Sequence, residues 1–133
     1  MSCTDEIIKK FNDFENAMKS CLPKVEPRMI IGLLEELKEE DAPMYNLQVY
    51  LKEKPNIEEF RNTILKDLGV VPGINEDDHA VIEHRVNFKI LEYLSNLKDV
   101  EKIIGFHMGG GRSSRGPALE RDDYDKLSGN VKY

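Results

Sequence analysis

His79, Glu83 and His84 stand close together with Asp77 and Asp78 just before them, and imidazole with carboxylate is a donor set that can hold a metal such as zinc. Two ligands share a helix face when they are four residues apart, as in H-E-x-x-H. These histidines are five apart, about 140° round a helix. The run H-x-x-x-E-H is also one residue longer than the inverted zincin spacing. A charged helix start with His84 half-buried near Phe88 accounts for the same residues, so a metal-dependent enzyme centred on His79 and His84 ranks last among the functions considered.

Other candidate chemistry is excluded on the same terms. Over residues 75–86, Asn75 and Asp77 suit positions one and three of a calcium loop. Ala80 then stands where glycine is required, and Val86 where a bidentate glutamate is required. GFHMGGGRSS, residues 105–114, has Phe106 and Arg112 where a phosphate loop needs glycine and lysine. Cys3 and Cys21 form no C-x-x-C pair, and Cys21, two residues before Pro23, has the setting of a packing residue. No cofactor is expected.

Residues that suit binding are easier to find. Glu35, Glu36, Glu39, Glu40 and Asp41 gather at the end of a predicted helix, where they oppose the dipole and cost stability. They suit a basic partner. Beyond residue 106 the segment GGGRSSRGP carries Arg112 and Arg115, a faint form of the arginine-glycine segments that bind RNA. Ser113 and Ser114 are unspecific phosphorylation candidates, and YDKL at 124–127 spells a sorting signal that, with no membrane anchor, is most simply an accident of a polar sequence. Leu119, Asp123 and Leu127 would share one side of a short helix that folds on a partner, with Tyr124 beside them.

The elements that would position these residues follow from periodicity and caps. Thr4 is the expected cap of a first helix with Ile7, Phe11, Phe14, Met18 and Leu22 as its stripe, stopped by Pro23. Pro27 opens a second, carrying Ile30, Leu33, Leu34 and Leu37, and the acidic run marks its end. Asn56 and Glu59 start a clean helix that Gly69 ends. Residues 75–104 place Ile82, Val86, Ile90, Leu94 and Leu97 on one side of a helical wheel, and predict the central helix of the domain. Residues 45–51 are ambiguous. Tyr45, Leu47, Val49 and Leu51 alternate with Asn46, Gln48, Tyr50 and Lys52, as in a strand; a lone strand is unstable, and only residues 69–74 offer a partner, so helix is preferred.

These segments predict an all-α single domain of five or six helices over residues 1–106, a bundle or short superhelix, followed by a flexible tail over 107–133. The chain has 133 residues, enough for a core without disulfides or metal, and no apolar run long enough to cross a bilayer. Its acidic start lacks the bases and apolar run of a signal peptide, which points to the cytoplasm or nucleus. Residues 1–106 carry 14 Lys or Arg against 21 Asp or Glu, whereas residues 107–133 carry 5 against 4. Such a body repels a phosphate backbone, so nucleic acid is disfavoured for it and left to the tail. The function expected is a non-catalytic protein–protein interaction module or adaptor; the alternative is an RNA-associated factor using the Arg/Gly tail.

Overall fold

A computed structural model describes residues 2–76 and 78–109. Its elements run α1 (Cys3–Cys21), α2 (Pro27–Glu36), β1 (Met44–Leu51), α3 (Ile57–Leu68), β2 (Gly73–Asn75), β3 (His79–Arg85), α4 (Phe88–Ser95) and β4 (Val100–His107). The four strands form one sheet in the order β2-β3-β1-β4, with every neighbouring pair of these strands antiparallel. From β1 onward the connections are β-α-β-β-α-β, the split, ferredoxin-like arrangement.

The all-α expectation, and with it the helical bundle, is wrong: the protein is a mixed α/β fold. Period two in β1 was the correct signal, since Tyr45, Leu47, Val49 and Leu51 are buried in alternation. Its partners were hidden in the supposed central helix, which is three elements. In β3, Ala80 and Ile82 are buried two residues apart. Asn87 then accepts the Ile90 N–H at 3.0 Å and starts α4, and β4 begins at Val100. Ile82, Val86 and Leu94 thus face one core from different elements, and their helical spacing is a coincidence of where those elements meet.

Segments with their own caps are where they were expected. Pro27 is the first residue of α2, Asn56 caps α3 through the Glu59 N–H, and Gly69 ends α3 in the left-handed region at φ 75°. For α1 the cap is Ser2 rather than Thr4, with Asp5 completing a capping box.

One face of the sheet carries the core. Leu47, Val49, Ile82 and Ile103 are wholly buried there beneath Leu33 of α2, Ile64 of α3, and Leu91 and Leu94 of α4. Gly105 lets α2 close onto β4, because a Cβ there would lie 2.7 Å from the Met29 side chain. Just before α2 the chain adds a short parallel bridge outside β4, where Glu26 N–H donates to Ile103 O and Ile103 N–H to Lys24 O. That bridge covers part of an edge which would otherwise be open to strand addition. No described helix is long and apolar enough to cross a membrane.

Leu47→Ala, which empties the middle of the central strand, should cost about 2–5 kcal/mol in chemical denaturation. Lys102→Ala, exposed on β4, should stay within about 0.5 kcal/mol. Equal costs would contradict the alternating burial.

Candidate functional site

Among the described residues, three surface features stand out once the core is assigned. The first lies at the end of the sheet where β1 begins. After α2 the chain makes one more turn, with Glu40 N–H donating to Glu36 O at 3.0 Å. This sets the Glu36 and Glu40 carboxylates on the same side. β4 brings His107 to them, with its Nε2 at 3.5 Å from Glu36 Oε1 and 4.0 Å from Glu40 Oε2. The other oxygen of Glu40 lies 3.6 Å from the Arg85 guanidinium, which also donates to Ala42 O at 2.8 Å. Tyr45, opposite His107 in the register, packs its ring against the imidazole with centroids 5.5 Å apart. Burial foremost, then the Glu36 and Glu35 charges, push the Tyr45 phenol above its ordinary value of 10.0.

The second feature is the face of the sheet that no described helix covers. Tyr50 and His79 stack there, 5.2 Å apart and 17° from parallel, and Phe106 stands 59% exposed on β4. Asn46, Gln48, Val81, Glu83 and Lys102 share this face by register. A depression of about 400 Å³ opens beside Tyr50, lined also by Lys24, Glu26, Glu101 and Lys102. Its charges are mixed, with no excess of cations.

The third is α1. Of its 19 residues only Met18 is buried, and Phe14 is half-buried. Ile7, Ile8 and Phe11 are 62%, 57% and 51% exposed. The helix is nonetheless well built, with its capping box and i,i+4 pairs Glu6–Lys10 and Lys9–Asp13.

Of the acids expected to bind a partner, Glu36 and Glu40 join His107, while Glu35, Glu39 and Asp41 are exposed. Arg112, Arg115, Leu119, Tyr124 and Leu127 lie outside the described residues. The two histidines of the metal-enzyme alternative sit five apart on a strand and so on opposite faces: His79 stacks on Tyr50, and His84 holds Arg85 O through Nδ1 at 2.6 Å. They cannot share an ion. Sequence reasoning missed His107, since only the pairing of β4 with β1 carries it to α2.

A phenolate absorbance titration should show Tyr45 and Tyr93 ionising later than a free tyrosine. Burial is the main cause at Tyr93 too, followed by the hydrogen bond its hydroxyl donates to Asp67 at 2.5 Å. A raised phenol keeps its proton in the folded state, so this stability is whole below pH about 10 and is lost as the pH climbs beyond. Tyr93→Phe should therefore flatten the fall in melting temperature above pH 10; an unchanged slope would contradict the assignment. No family model, curated protein or solved structure matches the chain.

Proposed function

We propose that the chain is a non-catalytic protein-interaction module that takes an amphipathic helix of its partner along α1. The observation that carries this is the exposure of Ile7, Ile8 and Phe11 on a helix whose far end is anchored by Met18. Exposed apolar residues scattered singly mean little; three within two turns of a capped helix form a patch. Ile7, Phe11, Phe14 and Met18 follow one another at steps of four, three and four, the spacing of a seam into which another helix packs. Because the helix is already formed, docking does not have to order it, which favours affinity.

The uncovered sheet face supports a second reading, single-stranded nucleic acid stacked on Tyr50 and Phe106. Its mixed charge and the acidic body count against it.

Ile7→Glu with Phe11→Glu tests the first reading. Each buried side chain of this kind contributes about 1.5–3 kcal/mol, so the pair should weaken association at least a hundredfold. Sedimentation of the chain alone reads self-association; capture from an extract of the source cells, with the partner identified, reads a foreign helix. In both, the effect must come without a fall in melting temperature. Equal masses and equal capture for the two forms would overturn the proposal. Loss of binding to a labelled single-stranded oligonucleotide in Tyr50→Ala would favour the second reading instead.

A further inference from the structure

We propose that Glu36, Glu40 and His107 form a binding site for one divalent transition-metal ion, with zinc as its best match, and with an open coordination position. The three donor atoms lie within 4.8 Å of one another. A tetrahedral zinc ion with bonds of about 2.0–2.2 Å needs its ligands about 3.3–3.6 Å apart. His107 Nε2 is already 3.5 Å from Glu36 Oε1 and 4.0 Å from Glu40 Oε2, and the two carboxylates, within 4.8 Å of each other, need to close by about 1.5 Å at most for an ion to seat. One imidazole and two carboxylates suit zinc, manganese or iron rather than calcium or magnesium, which take oxygen ligands.

The surroundings agree with such a site. Two carboxylates beside the C-terminal end of α2 repel each other and meet the negative end of the dipole, and the last turn of α2 holds no basic residue. A cation placed between them adds to the compensation that Arg85 already gives Glu40. The side chains are 22%, 24% and 19% exposed, enough shelter to strengthen an ion's attraction and enough access to admit it. Around them stands a supporting set of the kind that orients ligands. Arg85 holds Oε1 of Glu40 and leaves Oε2 facing His107, and the Tyr45 ring lies against the imidazole. Three protein ligands leave a fourth position for water or for a group supplied by a partner.

Titration of the full chain with zinc chloride, followed by calorimetry, should give one equivalent bound. His107→Gln and Glu40→Gln should each weaken it at least tenfold, while His79→Ala on the opposite face leaves it unchanged. Zinc should raise the melting temperature of the natural chain and of His79→Ala, and not that of His107→Gln, which also checks that the variant folds. Cobalt in place of zinc should give visible absorption bands that change on replacement of His107. Equal zinc affinity in the natural chain and in His107→Gln would overturn the proposal, as would no binding at micromolar zinc, which leaves the cluster an ion pair only.

Discussion

The structure depends on one constraint: β1 must be paired on both sides. Its backbone bonds to β3 along one edge and to β4 along the other, and Leu47 and Val49 are wholly buried beneath the helices. A strand in that position cannot leave a peptide group unpaired without a cost of about 1–3 kcal/mol per group. The described elements after residue 51 serve the pairing. α3 carries the chain across to β2 and β3, and α4 carries it back to β4 on the far side.

That crossover also makes the metal-ligand cluster. Glu36 and Glu40 come from the turn that delivers the chain into β1, and His107 from the strand that closes the sheet. They meet because β1 begins where β4 ends. The sheet's other face and the first half of α1 have no such partner within the described residues. The former presents a ring stack in mixed charge; the latter presents a capped apolar seam. A small domain that builds its core from one face of one sheet leaves such surfaces for use elsewhere.

How far this could be read from the residues depended on range. Caps and proline are local, so α2 from Pro27 and α3 from Asn56 to Gly69 were legible, and so was the stripe of α1. The alternation of Tyr45, Leu47, Val49 and Leu51 was visible too, but a strand is believed only with partners. Theirs were concealed because Ile82, Val86 and Leu94 happen to fall on one helical stripe. Asn87, an N-cap in the middle of that stripe, was the signal that should have divided it. The acids were singled out because they oppose the α2 dipole. His107 was not, since a contact across some seventy residues leaves no trace in local spacing.

The body is organised on β1, and the first half of α1 is a preformed arm with no partner among the described residues; amide hydrogen exchange reads both. Leu47 and Val49 should exchange only on global unfolding, as the slowest amides of the chain. Amides from Ile7 to Phe11 should exchange orders of magnitude faster in the free chain and slow on complex formation. Core-level protection of Ile7 to Phe11 in the free monomer, or fast exchange at Leu47 and Val49, would contradict this arrangement.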